Sequence, residues 1–378
     1  VKADGRVENG NQQIVTGDTV YKAIEKNKIH YFSINNPDEI EGNYNNDGAT
    51  GKNAMAVGKN TGAMGQEAIA VGTKAYAKAD NTVVLGKNAT ANKSNSIAIG
   101  KAVHANGERS FVLGESSTTS GENSFVVGTN SHAKGSRAVV FGSGNTSDGN
   151  NGFSVGISNH TKADLSVAQG RNNVTEGKNS IAVGIYNVTK SDNAIAQGID
   201  NVAEGSNSFA AGYHNIASKD RSIAMGINSN AHGNGAVAIG RSSTANKENG
   251  IVMGIDSHVN GDNAMAIGNH ATANQINSVS IGKDVHANAE NSVVIGRDSG
   301  TQGANSLAIG SRAFTNNKDS VVIGNEVSST AEKTIILGDH SYANAKNSVV
   351  IGMNSTVNAE NTVSIGNASH AKGESSIS

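Results

Sequence analysis

Glycine recurs at an unbroken spacing of fourteen residues through most of this chain. Twenty-three glycines keep that spacing from Gly58 to Gly366, with no insertion between any two of them. Repeats of this kind stack one structural unit on the next, which builds an elongated rod rather than a globule around a pocket. The repeat therefore argues against an enzyme and favours a long binding surface along the side of a rod.

The composition fits many thin layers better than one large core. Aromatic residues make up 4% of the 378 residues, Trp is absent and Gly occurs 46 times. A formal net charge of −2 favours neither nucleic acid nor an anionic membrane as a partner. The chain has no Cys, which excludes disulfides and zinc–thiolate sites. No apolar run is long enough to span a bilayer and the last repeat is incomplete, so we expect a fragment of a larger protein that makes no membrane contact itself.

Side-chain type within a repeat depends on the distance from the periodic glycine, which we call position 0. Positions −3 and −1 are apolar in nearly every repeat, as at Ile97 and Ile99, and residues two apart share one face of a strand. Position −2 carries only Ala, Val, Ser or Ile, although a solvated strand face would be polar. We therefore expect positions −3 and −1 to form the core of each coil and position −2 to pack against an identical subunit.

Asn and Gly predict the corners of the coil. Position −5 is Asn in fifteen of the twenty-three repeats, and Asn tolerates left-handed backbone. Invariant Gly at position 0 indicates a positive φ or a close approach of two backbone segments, and Gly is frequent again at position +7, as at Gly107. These features predict a flattened coil of two parallel strands of about five residues joined by two turns, stacked over roughly 110 Å.

The stretch Asn-Ser-Val-Val-Ile-Gly-Arg-Asp-Ser at residues 291–299 carries a family resemblance, and near-copies lie at 123–131 and 347–355. It resembles the NSVAIGxxS head repeat of YadA-like trimeric autotransporter adhesins, and the resemblance covers about residues 51–378. It implies an all-β, left-handed parallel β-roll (a β-solenoid) of 14-residue coils, in a side-by-side homotrimer without a cofactor. It also implies display on a Gram-negative bacterial surface, with the outer-membrane anchor in a C-terminal region outside this chain.

The partners of such heads follow from the same resemblance. They are host matrix proteins such as collagen, fibronectin or laminin, or a host cell-surface glycoprotein receptor, for example of the CEACAM type, bound by the lateral face of the rod. A structural spacer or autoaggregation module that displays another binding domain is the alternative function.

Residues 1–50 lie outside the repeat and are expected to form an N-terminal cap on the 51–378 head. Residues 16–26 read as a short helix with its cap at Thr16 or Asp18. Residues 31–34 read as a strand leading into the rod, and residues 43–51 as a polar loop. A receptor-contacting tip is the alternative role for this segment.

The central repeats depart from the common pattern. Position −1, expected in the core, becomes Gln169, Gln197 and Ala211. Position +3 becomes six successive Asn residues from Asn145 to Asn215, and position +4 becomes aliphatic over four repeats. Position +1, elsewhere mostly polar, becomes Ile or Tyr. The residues that the sequence singles out as receptor-binding candidates are Ile157, Ile185, Tyr186, Ile199, Tyr213, Ile227 and Ile255.

Two interpretations of these changes remain open from sequence. In the first, the coils are repacked locally: an Ile at position +1 fills space left by a smaller or polar residue at −1, and the Asn side chains bond along the stack. In the second, the aliphatic residues and the two Tyr form an exposed stripe that a host receptor covers.

No residue pattern indicates catalysis or a metal. Six histidines recur at position +4, namely His104, His132, His160, His258, His286 and His370. Most of them lie two coils apart, roughly 10 Å, which is too far for two of them to bind the same ion. We therefore expect them to be solvated turn residues. Tyr76, Phe314 and Tyr342 share that position and are expected on the surface. GxSxG and HExxH motifs are absent, and the nine- and six-residue periods of calcium-binding and acyltransferase solenoids do not match.

Overall fold

Each repeat forms one coil, with a long strand that starts at position −3 and a two-residue strand at positions +4 and +5. The computed structural model describes residues 5–10, 12, 14–26 and 42–378. The long strands have three residues at Met55–Val57, Ile69–Val71, Val83–Leu85 and Val363–Ile365, and five in every repeat from Ile97–Lys101 to Val349–Met353. The short strands recur from Gly62–Ala63 to His370–Ala371. The second strand is thus shorter than predicted, because the turn after it takes up the remaining residues of the coil.

Every strand pairs in parallel with the same position of the next coil. Ile97 pairs with Phe111, and Phe111 with Phe125, so equivalent side chains stack into ladders along the rod. The rings of Phe111 and Phe125 stack with their centroids 4.8 Å apart. The long strands form one sheet and the short strands another. The predicted all-β parallel solenoid of about 23 coils is confirmed.

Backbone geometry explains the invariant glycine. Gly184 has φ +123°, and a Cβ placed on it would lie 2.0 Å from the carbonyl oxygen of Gly198 in the next coil. Positive φ and close backbone approach therefore act together. The residues at positions +2 and −5, such as Asn172 and Asn179, adopt φ +55° and +53°, which accounts for the frequent Asn there.

Small side chains fill the interior of the coil. Positions −4, −2, +3 and +5 point inward, as at Ser110, Val112 and Ala105, and are buried in almost every coil; the largest fully buried side chain is Ile336. The prediction that positions −3 and −1 form the core and position −2 an intersubunit contact is wrong, because position −2 is buried inside the coil whereas positions −3 and −1 lie on its outer surface. The walls of a 14-residue coil lie too close together to hold two ladders of Ile, so the bulkier side chains point outward.

The hydrophobic interior is interrupted in the central coils. One cluster of buried apolar residues runs from Ala63 to Val140 and another from Ala194 to Ala371. Between them, position +3 is Asn and position +5 is Ser or Thr, all buried. The middle of the rod is therefore held together by interior hydrogen bonds more than by apolar packing.

The segment before the rod contains one helix, Gly17–Lys26. The hydroxyl of Thr16 accepts a hydrogen bond from the backbone N–H of Thr19 at 3.2 Å, which makes Thr16 the cap. The helix has no buried residue, and the predicted strand at 31–34 lies outside the described residues. The side chain of Asn43 donates to the carbonyl oxygens of Ala56 and Gly58, so the polar loop packs on the first coil. Within the described residues, no helix has the length and apolarity needed to cross a bilayer.

Candidate binding surface

The outward side of the long-strand sheet carries a largely apolar face, which we define as the side chains at positions −3 and −1 of all coils and call the apolar face. Position −3 is half-buried in most coils, whereas Leu113, Phe141 and Ile295 at position −1 are 37–38% exposed. Monomeric proteins seldom expose an apolar patch larger than a few hundred Å². An apolar face along the whole rod is therefore larger than a monomeric protein ordinarily exposes.

The receptor-binding candidates line up beside this face in the central coils. We call the set Ile157, Ile185, Tyr186, Ile199, Tyr213, Ile227 and Ile255 the central stripe. Strand pairing places Ile185, Ile199, Tyr213 and Ile227 in consecutive coils, and Arg171 and Arg241 separate these from Ile157 and Ile255. All are exposed except Ile185, which is half-buried. The structure thus brings the candidates together into one row.

Tyr186 differs from the rest of the stripe because it lies at position +2, in the corner after the long strand. Its φ is +58° and its side chain is half exposed. The guanidinium carbon of Arg171 lies 5.8 Å from the centre of its ring, a cation–π arrangement. The ring is therefore held in place while one side remains accessible.

The repacking interpretation is wrong in its premise about the core. Gln169 and Gln197 at position −1 are exposed and lie on the apolar face, and Ala211 is half-buried there. They leave no interior space for an Ile at position +1 to fill. The exposed row of Ile and Tyr is a feature of the surface and not of the core.

The other half of that interpretation, an Asn ladder that bonds along the stack, is confirmed. The side chain of Asn159 donates to the carbonyl oxygen of Gly170 at 2.8 Å, and its Oδ1 accepts the backbone N–H of Asn173 at 3.0 Å. The same pattern repeats to Asn215. Hydrogen bonds inside the rod therefore join the coils that carry the stripe from Ile157 to Tyr213.

Opposite charges alternate at position +6 of the same coils. Lys134 pairs with Asp148 at 2.8 Å, Lys162 with Glu176 at 2.7 Å and Lys190 with Glu204 at 2.5 Å. Burial raises the pKa of Asp148, but hydrogen bonds from Lys134 and His160 outweigh burial, so the pKa lies below its ordinary value. This ladder lies beyond the short strands. Sequence reasoning missed it, although the alternation of Lys with Asp or Glu every fourteen residues could have revealed it.

Histidines at position +4 lie on the short strands, not in the turns where they were expected. Four of the six are exposed, and His132 and His160 are half-buried. His160 bonds to Asp148, with 2.6 Å between Nε2 and Oδ2. Within the described part of the chain, no three His, Cys, Asp or Glu side chains cluster as metal ligands would.

The repeats match a known family model. Its description is "YadA head domain repeat (2 copies)", and it covers residues 49–75, 63–89, 77–101, 105–131, 162–186, 190–215, 217–243, 245–271, 260–284, 273–299, 287–313, 302–326, 337–355 and 358–378. The chain belongs to the YadA head family. That family consists of bacterial surface adhesin heads and is not a family of enzymes. The resemblance inferred from residues 51–378 is thus confirmed.

One solved structure similar to this YadA-type head is described as the collagen-binding domain of the Yersinia adhesin YadA. The two chains share 24% sequence identity, the match covers 40% of this chain and 69% of that one, and the TM-score is 0.27. No curated protein shows a significant match to the chain.

Proposed function

We propose that this YadA-type head is a homotrimer that attaches bacteria to host surfaces through the central stripe. Residues 51–378 form the head, residues 1–50 cap its first coil, and the full protein holds the head at the cell surface through an anchor in the outer membrane. The observation that carries the proposal is a row of Ile and Tyr in the central coils, exposed except for the half-buried Ile185, at a position that is polar in most other coils.

The apolar face supports the homotrimer. It runs along all 23 coils, roughly 110 Å, and only a partner with the same repeat spacing can cover it at every coil. Identical chains side by side meet that requirement, since their ladders have the same period. Gln169 and Gln197 then face their own copies, and their amides can hydrogen-bond to each other and fix the register of the three chains.

The central stripe supports ligand binding beside that interface. Position +1 follows the apolar face and precedes the left-handed corner at position +2, so in a trimer the stripe lies at the rim of the contact between chains. Between Ile157 and Ile255 it extends over seven coil steps, roughly 34 Å. A contact of this length is consistent with the interfaces of about 800 Å² per partner that globular domains form. Tyr and Arg, both present in the row, often contribute most of the binding energy of an interface. A folded domain of a host receptor glycoprotein, for example of the CEACAM type, fits a flat row of this length.

Binding by the intact head tests the proposal. The head is titrated by biolayer interferometry against immobilised collagen, fibronectin, laminin and epithelial receptor glycoproteins, in parallel with the variants Ile185→Lys and Ile199→Lys. A buried charge should weaken binding of the recognised protein at least about a hundredfold. Thr129→Lys is the matched control, because Thr129 is exposed at the same position +1 outside the stripe, and it should bind as the unmodified head does.

Only variants whose circular dichroism spectrum matches that of the unmodified head are compared. Two results would then contradict the proposal. Equal binding by all variants would place recognition elsewhere on the head. A folded head that binds none of these proteins would favour the spacer function, in which the rod displays another binding domain.

A further inference from the structure

The short-strand wall, on the opposite side of the coil from the apolar face, carries one cleft between two aromatic side chains. Phe314 pairs with Ser328 and Ser328 with Tyr342, so the two aromatic residues stand at position +4 two coils apart, roughly 10 Å. The cleft has a volume of about 320 Å³ and is lined by Arg312, Phe314, Glu326, Ser328 and Tyr342. Both aromatic side chains are about 40% exposed.

The neighbours of the two aromatic residues along the short-strand wall are small. Gly300 precedes Phe314 by one coil, and a Cβ on Gly300 would lie in van der Waals contact with the Phe314 ring, 3.5 Å from Cδ1 and from Cε1. Ser328 lies between Phe314 and Tyr342 and lines the floor of the cleft. Gly occurs at position +4 only at Gly62 and Gly300, and each is followed in the next coil by an aromatic residue, Tyr76 or Phe314.

Partly exposed ion pairs border the cleft. Glu326 accepts from Arg312 Nη1 at 2.5 Å and pairs with His340 Nε2 at 3.0 Å through its other oxygen. Asp339 Oδ1 lies 3.1 Å from His340 Nδ1 and accepts from Asn325 at 3.0 Å. These groups place hydrogen-bond donors and acceptors side by side at the rim of the cleft.

We propose that this cleft binds a neutral pyranose ring of a glycan. A sugar ring is thicker than a planar aromatic group, and its C–H faces stack on aromatic rings, so a pyranose fills the gap between Phe314 and Tyr342 more fully than a flat ligand at stacking distance does. Its hydroxyl groups both donate and accept, as the guanidinium of Arg312, the carboxylate of Glu326 and the hydroxyl of Ser328 require.

Charge around the cleft distinguishes a neutral sugar from an ionic ligand. A cationic group would meet the guanidinium of Arg312, which already balances the charge of Glu326, although each oxygen of that carboxylate can accept one more hydrogen bond from a neutral hydroxyl group. An anionic group would meet Glu326 and Asp339. The cleft lies on the wall away from the apolar face and the central stripe, so it stays accessible in a trimer and its ligand differs in class from a receptor domain.

Saturation-transfer difference NMR on the intact head tests this site. The probes are methyl α-mannopyranoside, methyl β-galactopyranoside and the methyl β-glycoside of N-acetylglucosamine, each at millimolar concentration. At least one should receive saturation at its ring C–H protons, and Tyr342→Ala should weaken its affinity about tenfold. Ser328→Phe should abolish the signal by filling the cleft, and because an aromatic residue already stands at this position in the next coil, that variant is expected to fold.

Tyr76→Ala is the matched control, because Tyr76 also stands at position +4 next to a glycine but far along the rod from Arg312 and Glu326. It should leave the saturation signal unchanged. Absence of signal for all three glycosides would overturn the proposal, as would an equal signal in the unmodified head and the Ser328→Phe variant. Receptor binding through the central stripe is measured separately, so either proposal can fail without the other.

Discussion

The side-chain Nδ2 of Asn173 donates a hydrogen bond of 2.8 Å to the carbonyl oxygen of Gly184 in the next coil. Its Oδ1 accepts the backbone N–H of Asn187 at 3.0 Å, and both Asn residues are fully buried. One side chain therefore bonds two backbone groups of the next coil. These bonds fill the interior of the central coils, where position +3 is Asn and position +5 is Ser or Thr.

Replacing Asn173 by Ala should destabilise the head by about 1–3 kcal/mol, since the buried N–H of Asn187 loses its acceptor and the Gly184 carbonyl loses one of its donors. Asn173→Ser should lose less than half as much. Ser117 occupies the same position and makes the same two contacts, donating to Gly128 at 2.9 Å and accepting from Ser131 at 3.2 Å. Urea unfolding followed by circular dichroism measures the free energy of unfolding of both variants and of the unmodified head. Equal losses for Ala and Ser would show that the side-chain hydrogen bonds contribute little.

Two glycines should differ sharply in their tolerance of a methyl group. Gly184→Ala places a Cβ 2.0 Å from the Gly198 carbonyl oxygen at φ +123°, so we expect a loss of about 3 kcal/mol or more, or failure to fold. Gly300→Ala meets its nearest neighbours at 3.4–3.5 Å without a positive φ and should change stability by less than about 1 kcal/mol. Thermal unfolding compares the two. A mild effect at Gly184 would contradict the close backbone approach at position 0.

Acid should remove a contribution to stability that Asp148 provides. Its pKa in the folded head lies below the ordinary 3.8, so the contribution is full above about pH 4 and is lost as the pH falls through the lowered value. In Asp148→Asn the carboxylate is absent, so the urea midpoints of the variant and the unmodified head should differ above pH 4 and converge in stronger acid. A difference that persists unchanged in acid would show that the charge of Asp148 is not responsible.

The period, the strand positions and the corners could be predicted from the sequence because each follows from one residue type. Gly at position 0 and Asn at position −5 indicate a positive φ at those positions. That indication does not depend on which side chains pack around them. The direction in which each side chain points could not be read in the same way. Alternation shows that Ile97 and Ile99 share a face, but either face of a strand can be the inner one.

Side-chain size was the signal that decides between the two faces. Positions −4, −2, +3 and +5 carry small residues in nearly every repeat, as at Ser110, Val112 and Ala105, and such a restriction on four positions is typical of a narrow interior. Hydrophobicity instead pointed to Ile and Phe at positions −3 and −1 as the core. The same error turned Gln169 and Gln197 into core residues, although they lie on the surface.

The candidate site was predictable in part. Ile157 and the other residues of the central stripe at position +1 stood out because that position is polar in most repeats. The structure places them in one row on the surface. The cleft between Phe314 and Tyr342 was not predictable, since it depends on where two rings two coils apart lie and on ion pairs between residues of neighbouring coils.

The central claim is that the apolar face at positions −3 and −1 lies outside the coil and is covered by identical chains. Sedimentation equilibrium of the intact chain tests it most directly. Each chain has a mass of 38.5 kDa, and we expect a single species of three times that mass, which Ile295→Lys should convert to lighter species without loss of β-structure by circular dichroism. A folded head that sediments as one chain, with its apolar face stable in water, would contradict the claim.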